Sequence, residues 1–486
     1  MTTMGDGGAS SMKKDIVSAY IATAARILSW VILSGIVYRQ CRPRYFAMLM
    51  LVRATIGLLS NATVGLGPAM VFFLSRKIKD VPKPAIPIPD YQDNVLDYAA
   101  PGRPPKKIAP YERVVYVTGD AIAACAGVIA IALTVLYGDN FFRIHDISWG
   151  PSLDGEVKAY HEAQGLVFWM GVGMTLRLVS EPLSALLQTH GKIWLDNCIL
   201  AACELLWLAT GAAMLFNSGE TAIPVALCYS FASLGVFVAR KSAANRIEKK
   251  LEPQLSAIDW RLGKRMLGFG LMVMAAQLAD FLYAPTDYVL ITRLMNSLTV
   301  ATYAPAVQID AAILVLVTGL AAVLLPKAAL AHGAGDARTL RIYYFKGTLS
   351  SILMLLAAAG TTWIASPFIF RLWLGDSMPA TRAILPLVLI HTVVGGSSAV
   401  GRSILLGMGK VKAFTIAVLV AGISNVILSY CFVVYLNLGL VGIILGTIVV
   451  VVARCAIWMP WYVNKSLREA HGQIPLEEPA PALPVV

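Results

Sequence analysis

Six charged residues that fall inside otherwise apolar stretches of sequence are candidates for chemistry. An ionisable group at the depth of a bilayer costs at least about 2.5–3.5 kcal/mol on insertion scales, so it normally faces a cavity or a partner. A guanidinium group is always charged and binds phosphate through a bidentate fork. We therefore expect the arginines to bind an anionic substrate and the aspartates to couple to an ion. The residues are Arg26, Arg53, Arg177, Asp280, Asp287 and Asp310.

The most specific prediction concerns the first two arginines. Arg26 and Arg53 lie on the first two apolar stretches, which should be neighbours in space. Two guanidinium groups that face one cavity would suit a pyrophosphate or an acidic sugar. The alternative is that Glu204 and Asp120 pair with them and act only in helix packing.

Arg177 also has a structural alternative. It precedes Glu181 by four residues, a spacing that places both side chains on one helix face, where they would neutralise each other. His391 is a single histidine in an apolar stretch and is interpreted as a core residue rather than a proton carrier. Arg402 and Arg454 lie towards the inner ends of their stretches, and we expect them to extend to the lipid headgroups.

The elements that must position these residues are about twelve membrane-spanning helices. A hydrocarbon core of about 30 Å requires roughly 20 apolar residues per helix, and 57% of the 486 residues are hydrophobic while 14% are charged. This composition is typical of an all-α integral membrane protein and excludes an ordinary soluble domain. The predicted spans are 15–38, 45–75, 113–138, 163–189, 193–217, 221–241, 265–292, 298–326, 343–373, 380–408, 412–436 and 438–463.

The distribution of positive charge predicts the topology. The formal net charge is +12, and most of the 40 lysines and arginines lie in segments that are cytoplasmic if the N-terminus is inside. Cytoplasmic loops of membrane proteins collect Lys and Arg, so both termini are predicted to be cytoplasmic. The same bias explains the positive charge without a nucleic-acid partner, and membrane lipids are the expected counterpart.

A basic segment near the middle of the chain divides the twelve spans into two lobes of six. Faint similarity between the halves predicts a pseudo-two-fold axis along the membrane normal: the turn 186–192 after the fourth span resembles the turn 404–410 after the tenth. The predicted domains are a cytoplasmic N-terminus (1–14), a first lobe (15–241) with a basic, proline-rich cytoplasmic loop (76–113), a basic linker (242–264), a second lobe (265–463) and a disordered cytoplasmic tail (464–486).

Short motifs in order along the chain resemble those of a known family. The segments PTDYVLI at 285–291 and VATYAPA at 300–306 are similar to the seventh and eighth spans of bacterial polysaccharide flippases. Similar elements are Leu325-Pro326, LWLG at 372–375 and LLGMGK at 405–410. The likeness covers nearly all of residues 15–463. The family belongs to the multidrug/oligosaccharidyl-lipid/polysaccharide exporter superfamily.

The resemblance implies a flippase in the inner membrane of a bacterium. Such a protein moves undecaprenyl-diphosphate-linked oligosaccharide units to the outer leaflet by alternating access, for O-antigen, capsule or exopolysaccharide assembly. In related lipid II flippases, arginines on the first two helices contact the diphosphate, and Arg26 and Arg53 occupy comparable places. Polysaccharide-assembly enzymes are possible partners.

Three alternatives to the flippase remain. A cation-coupled multidrug antiporter of the same superfamily would need acids rather than arginines in the first lobe. A membrane enzyme that polymerises or ligates glycans would need a large outward catalytic loop, and the longest outward loop, residues 139–162, is short. A scaffold would leave the charges without a role. No Walker A motif or paired-cysteine pattern is present, so we predict no enzymatic activity, metal or cofactor.

Overall fold

The computed structural model describes residues 6–61, 66–74, 110–145, 153–247, 258–281, 284–333 and 335–472, and all regular structure in these ranges is helical. Most of the predicted loop 76–113 and tail 464–486, parts of the predicted N-terminus 1–14 and linker 242–264, and the side chain of Asp280 lie outside the described residues. The helices are α1 (Asp6–Gln40), α2 (Arg42–Asn61), α3 (Leu66–Leu74), α4 (Pro110–His145), α5 (Leu153–Val179), α6 (Glu181–Thr189), α7 (Ile193–Asn217), α8 (Ile223–Ile247), α9 (Trp260–Phe281), α10 (Ala284–Leu294), α11 (Thr299–Gly333), α12 (Ala337–Leu374), α13 (Pro379–Gly407), α14 (Val411–Val434), α15 (Gly439–Val451), a π-helix (Val452–Trp458) and α16 (Met459–Gly472).

Within these ranges, ten helical stretches are long and apolar enough to cross a membrane. They coincide with ten of the twelve predicted spans, so the chain is a multi-pass membrane protein. The other two predicted spans, 45–75 and 265–292, coincide with α2–α3 and α9–α10, each pair being separated by residues that are not described. The twelve-helix layout and the cytoplasmic location of the termini stay predictions.

The chain divides into two compact units. The first unit contains Met1–Ala304 together with Phe370–Ser377, and the second contains Pro305–Ile369 and Met378–Val486. The short segment joins the first unit because the Trp373 indole donates to the Val31 carbonyl at 2.6 Å and Arg39 donates to the Arg371 carbonyl at 3.1 Å. The two six-helix lobes drawn from the sequence stay a prediction.

Two turns with the same hydrogen bonds follow α6 and α13. Gly191 and Gly409 have φ of +69° and +74°, in the left-handed region that glycine adopts most readily. Lys192 donates its backbone N–H to Leu187 O, and Lys410 donates to Leu405 O, both at 2.9 Å. The two segments that looked alike in sequence therefore have the same local structure, in which a left-handed glycine ends the helix.

Helix packing in the first unit encloses a buried tyrosine, Tyr229 on α8. In this unit α1 packs along α7, and α5 packs along both α4 and α8. Gly173 of α5 is required for this approach, since a Cβ there would lie 2.6 Å from the Tyr229 ring and 3.1 Å from the Ser230 Cα on α8. The missing side chain thus makes room for Tyr229 between α5 and α8.

In the second unit, α14 and α15 form a close antiparallel pair after a tight turn. A Cβ on Gly446 would lie 2.8 Å from the Ser429 backbone nitrogen, and one on Gly442 would lie 3.1 Å from the Phe432 backbone. Thr447 also donates to the Asn425 side chain at 3.0 Å. The small residues therefore set the helix spacing, as expected for glycines four apart in a membrane helix.

Candidate functional site

Arg53 on α2 lies against an aromatic ring in the first unit. Its guanidinium carbon is 4.1 Å from the centre of the Trp30 ring on α1, a cation–π distance. Within the described ranges Arg53 has no hydrogen bond or ion pair to another side chain. Because a ring engages only the face of the guanidinium group, its five N–H donors stay directed elsewhere and can bind an anion.

Three buried aromatic rings form a platform beneath this arginine. Trp30 and Trp207 lie 4.7 Å apart, and Trp207 and Tyr229 lie 5.3 Å apart, both edge-to-face. The Trp207 indole donates to the Val225 carbonyl at 2.9 Å, which fixes its ring against α8. Such rings have defined positions and few rotamers, so the platform holds the bound cation in one place.

Arg177 on α5 contacts another ring of the platform and pairs with an acid. Its guanidinium carbon is 4.6 Å from the centre of the Tyr229 ring. Its Nη1 lies 2.5 Å from Glu204 Oε1, and its Nε donates to Ser233 Oγ at 3.0 Å. The arginine–aromatic cluster consists of Arg53, Trp30, Trp207, Tyr229, Arg177 and Glu204.

The interpretation that Arg177 pairs with Glu181 is wrong in the structure. The helix is interrupted at Ser180, just before Pro182, so the two residues do not share one continuous helix face. Glu181 instead faces α3, where its carboxylate occupies the space that a Cβ on Gly67 would need. The neutralising acid comes from α7, 27 residues away in sequence.

The pairing of Arg177 with Glu204 is incomplete. Arg177 Nη2 and Glu204 Oε2 are buried and lack a hydrogen-bond partner among the described residues. A buried polar atom without a partner costs about 1–3 kcal/mol. The cluster can therefore accept one further polar group at Arg177 without breaking the existing ion pair.

Arg26 lies on the same helix as Trp30, one turn earlier. Its side chain is exposed, and within the described residues it has no hydrogen bond or ion pair. It lies within electrostatic range of Arg53. The three predicted arginines thus belong to the same unit, and together with one glutamate they leave an excess of positive charge beside the platform.

The three predicted aspartates have different surroundings. Asp287 is buried and accepts a hydrogen bond from the Tyr303 hydroxyl at 2.9 Å. Asp310 on α11, in the second unit, accepts one from Thr392 at 2.6 Å and lies 3.8 Å from His391 Nδ1 on α13. His391 was interpreted as a satisfied core residue rather than a proton carrier, and the structure places it beside this acid. Asp280 lies on α9.

The residues that sequence reasoning missed are the three rings of the platform. Tryptophan and tyrosine in apolar spans are common in cores and at membrane interfaces, so no local signal set these apart. Among the described residues, no group of three or more histidine, cysteine or acidic side chains is placed to hold a metal ion. What the described residues bring together is two arginines held against buried aromatic rings, one of them also paired with an acid.

Helices of this length and apolar composition define a multi-pass membrane protein. The MatE family model matches residues 273–431. The chain is similar to an inward-facing multidrug resistance MATE transporter of the MOP superfamily, with a TM-score of 0.72, 15% identity and coverage of 93% of this chain and 99% of that one. It is also similar to the inward closed form of the lipid II flippase MurJ, with a TM-score of 0.66, 13% identity and coverage of 94% and 89%.

A curated relative is the uncharacterized membrane protein EpsK of Bacillus subtilis (strain 168), 26% identical over 225 residues. That match covers 45% of this chain and less than half, 44%, of the relative. The resemblance to the multidrug/oligosaccharidyl-lipid/polysaccharide exporter superfamily is confirmed. The chain has the fold shared by its multidrug transporters and its lipid flippase.

Proposed function

We propose that the protein is a flippase that moves an undecaprenyl-diphosphate-linked oligosaccharide from the cytoplasmic to the outer leaflet of a bacterial inner membrane, for cell-surface polysaccharide synthesis. The single observation that supports it most is Arg53, a cation at membrane depth on a tryptophan ring with no acid paired to it among the described residues. Such a group favours an anionic headgroup over a cationic drug.

The remaining residues of the cluster have complementary roles in this proposal. Arg53 and Arg26 bind the diphosphate, while Arg177, which keeps one buried N–H group without a partner among the described residues, donates to a further phosphate or sugar oxygen. Glu204 holds Arg177 in position. The isoprenoid tail stays in the bilayer, and alternating access exchanges the headgroup between leaflets. Glycan-assembly enzymes then receive the product.

The test of the cargo is the accumulation of its lipid-linked intermediate. After depletion of the protein, lipid-linked glycans are quantified by mass spectrometry, and the cells are complemented with the wild-type chain. We expect a completed diphosphate-linked repeat to accumulate and to be cleared by the wild type. Unchanged lipid-linked glycans after depletion contradict the proposal.

A second candidate is a cation-coupled multidrug antiporter. The TM-score to the inward-facing multidrug transporter, 0.72, exceeds the 0.66 for the flippase. One observation counts against the antiporter: Glu204, the acid of the arginine–aromatic cluster, is already paired with Arg177. Increased drug sensitivity in the depleted cells, with no accumulation of lipid-linked glycan, would favour the antiporter.

Asp310 is the proposed site of ion coupling. Replacing Asp310 with asparagine is expected to make the transport rate nearly independent of pH, because the carboxylate that exchanges a proton beside His391 is removed while the hydrogen bond from Thr392 can be kept. The measurement is the initial rate of transport into liposomes across a range of pH values.

The matched control for this variant is Asp336→Asn. Asp336 lies just before α12, where its carboxylate accepts a hydrogen bond from the Thr339 backbone N–H at 2.9 Å, and asparagine caps a helix equally well. This control should keep the wild-type pH profile. If Asp310→Asn keeps that profile too, Asp310 has no coupling role.

A further inference from the structure

A long apolar groove runs along the second unit between α14 and the continuous run of α15, the π-helix and α16. Its volume is about 680 Å³, within the range of small-molecule sites. Ile416 and Val420 line it from α14, and Val449 lines it from α15. These three side chains expose 52%, 59% and 46% of their surface, so the groove is open along its length.

The groove exists because α14 and α15 separate beyond their point of closest contact. Gly446 and Ser429 meet near the turn that joins α14 to α15, and the groove begins past them, at Leu428 and Val449. The π-helix Val452–Trp458 continues the second side and carries Arg454 and Trp458 into the lining. π-helices are rare in proteins, and those that do occur are often found at functional sites.

One end of the groove is aromatic and basic. Trp458 and Tyr462 stack with their ring centres 5.0 Å apart, and Lys465 Nζ lies 5.6 Å from the centre of the Trp461 ring. Lys410 and Lys412 flank the start of α14 at the same end. Tryptophan, tyrosine and basic residues together mark the level of the lipid headgroups.

The dimensions fit a lipid chain that starts at this end. The stretch of α14 from Ala413 to Leu428 lines the groove and rises about 22 Å. One leaflet accounts for about 15 Å of the hydrocarbon core. An acyl chain whose headgroup lies among the aromatic rings can therefore stay in the groove throughout its leaflet.

We propose that this groove binds an anionic glycerophospholipid of the leaflet at its basic end, with an acyl chain between α14 and α15 and the phosphate on Arg454. Arg454 is the cation in the lining itself, and the guanidinium group binds a phosphate in a planar fork. Lys465 and Lys412 add positive charge nearby and favour a lipid with net negative charge over a zwitterionic one. The site is independent of the transported cargo.

The test is thermal unfolding of the purified full chain in detergent with added lipid. Phosphatidylglycerol and phosphatidylcholine with identical acyl chains are compared at equal concentrations. We expect phosphatidylglycerol to raise the melting temperature of the wild type more than phosphatidylcholine does, since binding to the native state stabilises it. Arg454→Gln is expected to remove the difference between the two lipids, and Ala417→Trp, which fills the groove, is expected to remove both shifts.

The matched control is Arg341→Gln in the same unit. Arg341 is an exposed arginine whose guanidinium carbon lies 5.7 Å from the centre of the Phe345 ring, and it does not line the groove. This variant should keep the wild-type preference for phosphatidylglycerol. Equal shifts with both lipids on the wild type, or an unchanged preference in Arg454→Gln, would overturn the proposal.

Two further measurements distinguish loss of lipid binding from misfolding and a phospholipid from the substrate tail. Native mass spectrometry counts phosphatidylglycerol bound to the wild type and to Arg454→Gln, and the loss of one bound molecule supports the site even if Ala417→Trp does not fold. A polyprenyl diphosphate is the competing probe. If it stabilises the wild type through the groove while phosphatidylglycerol does not, the groove holds the substrate tail and the phospholipid proposal is wrong.

Discussion

Replacing Arg53 with alanine is expected to lower the rate of transport about ten- to hundredfold. A hydrogen bond to a charged group contributes about 1.5–3 kcal/mol, and each 1.4 kcal/mol corresponds to a factor of ten. Within the described residues, Arg53 contacts an aromatic ring but is not paired with an acid. Removing it therefore removes an anion-binding group without leaving an acid unpaired. The measurement is the initial rate with a lipid-linked oligosaccharide in liposomes.

Conservative variants separate charge from geometry. Arg53→Lys keeps the charge but loses the bidentate fork, and we expect an intermediate rate. Trp30→Phe keeps a ring under the guanidinium group and should stay near the wild-type rate, whereas Trp30→Ala should fall towards the rate of Arg53→Ala.

The matched control for Arg53→Ala is Arg341→Ala. It also removes an arginine from an aromatic face, here that of Phe345, in the second unit, and it should transport at the wild-type rate. If Arg53→Ala transports as fast as this control while both variants are folded, Arg53 does not bind the substrate.

Replacing Asp196 with alanine is expected to lower the free energy of unfolding by about 3–5 kcal/mol, the cost of leaving a buried charge without its partner. Asp196 on α7 and Arg240 on α8 are each 4% exposed, with Arg240 Nε 2.8 Å from Asp196 Oδ1. Ser180 accepts a hydrogen bond from Arg240 at 2.7 Å, and Ser184 donates one to Asp196 at 2.6 Å. The measurement is reversible unfolding in mixed detergent micelles.

An exposed ion pair of the same chain provides the control. Lys410 and Glu469 lie 3.1 Å apart with side chains 39% and 45% exposed, and Glu469→Ala should cost at most about 1 kcal/mol. The double variant Asp196→Leu with Arg240→Met removes both buried charges and should be less destabilised than Asp196→Ala. Equal stability of Asp196→Ala and Glu469→Ala would contradict this account of the buried pair.

The sequence predicted those structural elements that depend only on a short segment of the chain, such as single membrane helices and tight turns. Ten of the predicted spans have matching helices because an apolar window of about 20 residues is sufficient to specify a membrane helix. The two glycine turns after α6 and α13 were also recognisable, since left-handed backbone favours glycine wherever it occurs. The close approach at Gly442 and Gly446 is of the kind that glycines four residues apart permit in a membrane helix.

Contacts between distant helices were not predictable in the same way. The partner of Asp310 is 81 residues further along the chain at His391, and no periodicity links the two positions. Arg177 had a plausible partner at four residues, but a break in the helix at Ser180 made that spacing irrelevant. The spacing rule for ion pairs holds only where the helix is continuous.

By itself, the sequence determined that this is an all-helical membrane protein, which charges fall inside apolar stretches, and which superfamily the chain resembles. These properties depend on the composition of single segments and on the cost of placing charge in hydrocarbon. Only the tertiary structure decided that Arg53 lies on Trp30 without an acidic partner among the described residues while Arg177 pairs with Glu204. That choice depends on how α1, α2, α5, α7 and α8 pack, because the energy of a buried charge is set by the side chains that other helices bring to it.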